Sequence, residues 1–133
     1  MADVYIKAIE KLVKEDQGLN SDIKYIAIEM RTLKGINKED DRVIKEYIEK
    51  KYMKVKDVSL KDLINEGEFD EKNLYLRNGI LIRVDNINKF TSDEISFEAS
   101  KYRSGKGEIG FLFKFNKKDS KWKLVESRML WIS

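Results

Sequence analysis

The side chains with most freedom to do chemistry lie in one stretch, Ser100-Lys101-Tyr102-Arg103-Ser104-Gly105-Lys106-Gly107. Lys101, Arg103 and Lys106 set three cations around Tyr102 and two glycines. Glycines leave backbone N–H groups free to face an anion, and cations beside them would grip a phosphate or carboxylate. The ordinary explanation is a basic β-hairpin turn, with glycines serving the turn and cations left in solvent. It is the favoured one. The stretch is not a nucleotide-binding P-loop, because the GxxxxGK[ST] order is missing and no helix follows.

A second set of candidates is carboxylate. Asp85, Glu98 and Glu126 fall on neighbouring predicted strands. Two of them meeting in a concave sheet face would raise one pKa and create an acid–base pair. Cross-strand ion pairing with Arg83, Lys101 or Arg128 is the more economical expectation. Tyr25, Tyr47, Tyr52, Tyr75, Tyr102 and both tryptophans are pocket candidates, yet their spacing suits core positions. Glu39-Asp40-Asp41 invites a metal reading, but no DxDxDG loop surrounds it. A helix start, where the dipole favours anions, accounts for it. No metal site and no cofactor is expected.

What the chain lacks narrows the chemistry further. Its 133 residues contain no His, no Cys and no Pro. Without Cys there is no disulfide, thiolate nucleophile or cysteine zinc site. Without His there is no imidazole base near neutrality and no Ser–His–Asp triad. An enzyme here would have to work with carboxylates, Lys, Tyr or Ser. Composition therefore leans against catalysis. No apolar run reaches about 18 residues, so no transmembrane helix is expected.

The formal net charge of +3 hides a division. Residues 1–70 carry 14 basic and 16 acidic side chains, whereas residues 71–133 carry 13 and 8. Lys114, Lys117, Lys118, Lys121 and Lys123 cluster near Trp122, which raises a weak nucleic-acid reading. Interleaved Asp119 and Glu126 dilute that field, and lysines on strands also block edge-to-edge association. Nucleic acid is the least favoured partner, and binding to it would have to weaken steeply with salt.

Elements able to position these residues follow from hydrophobic periodicity. Tyr5, Ile6, Ile9, Leu12 and Val13 predict a helix over 3–15, with Asp3 as N-cap. Alternation through Ile26, Ile28 and Met30 predicts a strand over 23–30. Asn37 caps a helix over 38–51 whose stripe is Val43, Ile44, Tyr47 and Ile48. A short strand over 53–58 follows, then a short helix opened by Ser59-Leu60-Lys61-Asp62, a capping-box pattern with Asp in place of Glu. Gly67 ends it. A turn or edge segment is expected near 74–76. Strands are expected at 79–88, 94–103, 108–116 and 121–132, with a bulge near 126–128 where the alternation slips. Together these predict one α+β domain over 1–133, with N-terminal helices packed on a curved, mostly antiparallel sheet. A βαβ unit at 23–58 would make that sheet mixed.

The stretch from Ser100 to Gly110, with Lys121-Trp122-Lys123 and the ending Met129-Leu130-Trp131-Ile132-Ser133, resembles a group of small α+β proteins of Gram-positive bacteria. The resemblance implies an NTF2/cystatin-like sheet. It transfers no catalytic motif. It also implies that the chain belongs with proteins of which some are exported or lipid-anchored. As it stands, beginning Met1-Ala2-Asp3, the chain reads as cytoplasmic, and export would require a leader that has been removed.

The functional expectation is a non-enzymatic binding module that contacts a protein partner through the sheet face or the basic hairpin 100–107. Lys101, Tyr102, Arg103 and Lys106 are the candidate contacts for such a partner or for a small anionic ligand. The alternative is a ligand or enzyme pocket in the concave sheet, using Tyr, Arg and the three carboxylates.

Overall fold

Apolar residues at helical spacing build the first helix, α1 (Ala2–Lys14), and bury Val4, Tyr5, Ala8, Ile9, Leu12 and Val13 along one side. A computed structural model describes residues 1–133. Its N-cap is Met1, with no side-chain cap, rather than the expected Asp3. The second helix, α2 (Lys38–Lys51), opens on a capping box between Asn37 and Asp40. Asn37 Oδ1 accepts from Asp40 N at 2.7 Å, and Asp40 Oδ2 accepts from Asn37 N at 3.1 Å. The short α3 (Leu60–Asn65) repeats the device with Ser59 and Asp62, so aspartate does serve at the third position. Both boxes satisfy backbone donors that a helix start otherwise leaves without partners.

Eight strands form one curled, mixed sheet. They are β1 (Tyr25–Ile28), β2 (Val55–Lys56), β3 (Phe69–Asp70), β4 (Tyr75–Leu76), β5 (Gly79–Phe90), β6 (Glu94–Ser104), β7 (Gly107–Lys118) and β8 (Lys121–Ile132). β1 pairs in parallel with both β2 and β5, so β1–α2–β2 is the expected βαβ unit. β5 through β8 are antiparallel neighbours in chain order. β4 takes up the edge of β6 at Tyr75 and Ser104, and β3 pairs with β4. The α+β expectation holds: helices lie on a curved sheet that is mixed at one end.

The strand over 23–30 is shorter than its alternation suggests. All four residues of β1 are buried. A central parallel strand is covered on both faces, so alternation there carries no in–out information. One face meets α1 and α2; the other meets a smaller cluster of Tyr25, Ala27, Leu63, Leu76 and Leu81 under α3. The expected bulge near 126–128 is instead two, at Val125 and Leu130. They shift the pairing at each end of the slip and leave 126–129 regular. The β7–β8 turn is a two-residue hairpin with positive φ at Asp119 (53°) and Ser120 (63°), the twist that suits a right-handed ladder.

The core sits between α1 and the sheet. Ile109, Phe111, Phe113 and Phe115 all face inward from β7, as their spacing predicts. Phe97 of β6 is the hub, with ring centroids 5.3 Å from Tyr5, 5.7 Å from Phe113 and 6.1 Å from Phe115. Phe97→Ala should cost about 4 kcal/mol of folding stability, as truncation of a buried aromatic generally does. Urea unfolding followed by far-UV circular dichroism measures this; a loss under about 1 kcal/mol would mean the ring is not the hub.

Candidate functional site: the strand ends and the outer sheet face

The basic hairpin is built differently from its sequence reading. Lys101 is fully buried. It follows Ile95, Phe97 and Ala99 on the inward side of β6, just past the end of α1. Its Nζ donates to Val13 O at 3.4 Å, Asp16 O at 3.3 Å, Asn20 Oδ1 at 3.2 Å and Glu15 O. A cation at a helix C-terminus meets carbonyls with no partner of their own and the negative end of the dipole. Burial pushes the ammonium down to about 8, against the upward pull of Asp16 and Glu15.

Arg103 does the same for the next turn of chain. Nε donates to Leu76 O at 2.7 Å, Nη1 to Leu19 O at 3.0 Å and Ser21 O at 2.8 Å, and Nη2 to Arg77 O at 3.0 Å. These bonds occupy four of its five donors. A cleft of about 470 Å³ opens beside it, lined by Leu19, Ser21, Asp22, Tyr75, Arg77 and Ser104. The guanidinium at its wall faces carbonyl oxygens rather than the opening. Lys106 alone stands exposed at the turn. A Cβ at Gly107 would lie 2.9 Å from Ser104 Oγ and 3.0 Å from Leu19 Cδ2, both ends of side chains able to shift. Neither Gly105 nor Gly107 takes a positive φ. The three expected gripping cations therefore do not converge, because two of them tie the α1–β1 connection to the sheet.

Tyr102 points to the opposite face, between Leu81 and Glu108 in the cross-strand row. Burial raises its hydroxyl pKa, with the Glu108 charge adding to the rise. Burial also raises the Glu108 carboxyl, while Arg83, 3.8 Å away, draws it down. The three candidate carboxylates share this outer face but do not pair. Asp85 accepts from Arg83 Nε at 3.2 Å, Glu98 from Asn86 Nδ2 at 3.3 Å, and Glu126 from Arg128 Nε at 3.0 Å. Glu98 and Glu126 sit in adjacent rows with β7 between them, so Leu112 and Lys114 separate them. Arg83 and Arg128 do pair with Asp85 and Glu126, but along their own strands rather than in the expected cross-strand pairs, and Lys101 lies on the other face.

The inward face leaves no room for a ligand, because the phenylalanine row and α1 fill it. The largest opening, about 830 Å³, lies where β1 ends and α2 begins, lined by Met30, Arg31, Leu33, Ile36, Asn37, Lys38, Asp41 and Asp57. Clefts at the carboxyl ends of parallel strands are a general feature of such crossovers, so the βαβ pattern at 23–58 was its sequence signal. Apart from Lys38, its charges are already matched. Arg31 meets Glu29 at 2.6 Å, and Lys45 joins Asp41 at 2.8 Å to Asp57 at 3.2 Å. No three acidic side chains converge on one point as a metal would need.

What sequence reading passed over is the outer face of β6, β7 and β8. α3 and the β3–β4 hairpin cover the other half of that side, leaving this half open. One cross-strand row runs Arg83, Ser100, Gly110, Trp131. The Trp131 indole lies on Gly110, where a Cβ would come within 2.3 Å of it, yet the residue remains 41% exposed. Ser100 is fully buried beside it, and its Oγ has no hydrogen-bond partner. Val125, Met129 and Ile132 are also exposed on β8, the last two in register with the inward-facing Phe111 and Ile109 rather than on this outer face. The far edge of β8 pairs with no strand. The pairing of Gly110 with Trp131 was legible only once β7 and β8 were known to pair in this register.

No protein-family model, curated protein sequence or solved structure matches the chain.

Lys101→Met should destabilise the fold by about 2 kcal/mol, because three carbonyls and an amide oxygen lose their donor. The pH dependence has a definite sign. The ammonium is depressed to about 8 in the folded chain from an ordinary 10.5, so the unfolded chain binds more protons between those values. Stability from this group then rises with pH across that window. Urea midpoints of wild type and Lys101→Met, compared from pH 7 to 10, should diverge in favour of wild type above pH 8. A constant difference would contradict the burial of a charged lysine.

Proposed function

We propose that the chain is a non-enzymatic recognition module that engages a protein partner through the open outer face of β6, β7 and β8. The observation that carries this reading is Trp131, an exposed indole held flat against Gly110 at the open part of the sheet. Tryptophans fixed in this way dominate the energetics of protein interfaces, because they bring large area at little entropic cost. Around it, Arg83, Lys114 and Arg128 alternate with Glu98, Glu108 and Glu126. A surface of balanced sign matches a protein that offers an apolar side chain between charges of both signs. It lacks the single-sign field that a nucleic acid requires.

The filled inward face supports recognition over catalysis, since it removes the concave pocket that an enzyme reading would use. The commitment of Lys101 and Arg103 to oxygens of this chain favours a contact on the sheet over one at the hairpin.

Immobilised wild type, challenged with a lysate of the source cell, should retain a partner that Trp131→Ala binds about 2 kcal/mol more weakly, roughly thirtyfold. Lys106→Ala should retain it unchanged. Thermal midpoints of both variants should stay near that of wild type, since both residues are exposed. Equal capture by wild type and Trp131→Ala would place the contact elsewhere.

A further inference from the structure

The remaining long feature without a partner is the edge of β8 itself. Of the sheet's other margins, β2 and β3 are two-residue strands, too short to template a neighbour, and the edge of β5 beyond Ile82 is flanked by the segment before α2, with Val84 N donating to Thr32 Oγ1 at 3.0 Å and Gly35 against the Phe90 ring. β8 runs for 12 residues, and its outward edge pairs with nothing. Near its start, Trp122 O accepts from Lys7 Nζ at 3.3 Å. The rest carries four of the chain's seven exposed large hydrophobics, Val125, Met129, Trp131 and Ile132. An exposed edge of that length and character is a docking site for a strand.

We propose that this edge takes a second copy of the chain, antiparallel, about a two-fold axis at Ser127. The sequence of β8 is complementary to itself in that register. Glu126 of one copy falls opposite Arg128 of the other, and each dimer contains that pair twice. Val125 falls opposite Met129, and Lys123 opposite Trp131, a cation over an aromatic face. At the axis itself stands Ser127, small and uncharged. Glu126 and Arg128 both lie on the outer face, as partners of Lys114 and Leu112, so the pleats of the two copies agree.

The bulges favour this register as well. Glu126–Met129 is the regular stretch between the irregularities at Val125 and Leu130, and the axis falls within it. Each arm of the two-fold ladder contains one bulge from each copy, so the pairing stays in step beyond them. A foreign strand without matching bulges would slip out of register. Lys121 and Lys123 repel one another in self-pairings centred near Trp122, which disfavours those registers. The outcome is one sheet continuous across two chains, with an isologous interface. Its outer face would carry both Trp131 side chains. The dimer and the recognition reading share Trp131 but have separate tests, the one through the charges of Glu126 and Arg128 and the other through the indole.

Charge reversal tests it. In sedimentation velocity over a concentration series, wild type should run at twice the monomer mass of 15.7 kDa. Arg128→Glu alone, or Glu126→Arg alone, sets like charges opposite one another twice. Each should weaken the dimer roughly tenfold or more. An equimolar mixture of the two variants restores opposite charges at both positions and should sediment as a heterodimer. Circular dichroism checks that each variant is folded, as expected for exposed residues. A monomeric wild type overturns the proposal and leaves the face to its own test. A dimer indifferent to both reversals, or variants that do not reassociate on mixing, also overturns it.

Discussion

The structure is organised by one demand, the burial of the aromatic row Phe97, Phe111, Phe113 and Phe115. Strands β6 and β7 place these rings on one side, and no sheet can leave so much apolar area in water. α1 lies across them with Tyr5, Ile9 and Leu12. The sheet curls to reach it. A further bond pins the arrangement, with the Tyr5 hydroxyl donating to Lys34 O at 2.6 Å and so joining α1 to the segment before α2. Filling that side determines what the molecule can do, because a surface packed this way offers neither cavity nor water.

β6 is longer than the helix above it, and its inward positions change character where the helix ends. Ile95, Phe97 and Ala99 lie beneath α1; Lys101 and Arg103 lie past it. At that point the neighbours are the last carbonyls of α1 and those of the turn that follows, which need donors rather than apolar cover. The two cations supply them from more than 80 residues away in sequence. A pattern that resembles an anion grip is thus the closure of a helix end.

The sheet divides into halves with different surroundings. β1 and the start of β5 are covered twice, by α1 and α2 on one side and α3 on the other. β6, β7 and β8 are covered once. This asymmetry leaves the Trp131 face and the β8 edge as the surfaces without partners.

Much of this was legible in the residues. Asn37 and Ser59 mark the starts of α2 and α3 by capping chemistry that is entirely local. The period-two run from Ile109 to Phe115 identifies both a strand and its buried side. The β3–β4 hairpin was only partly visible as an edge segment, since two-residue strands depend on the neighbours they pair with. The sequence by itself determined the helices, the four long strands, the inward face of β7 and the absence of thiol or imidazole chemistry. These follow from spacing and composition within a few residues. Only the tertiary structure decided which cations are free, which carboxylates meet and where Trp131 lies. Each of those turns on strand pairings that bring distant residues together. Lys101 faces carbonyls and Trp131 faces Gly110 because of register, and register is a property of the assembled sheet.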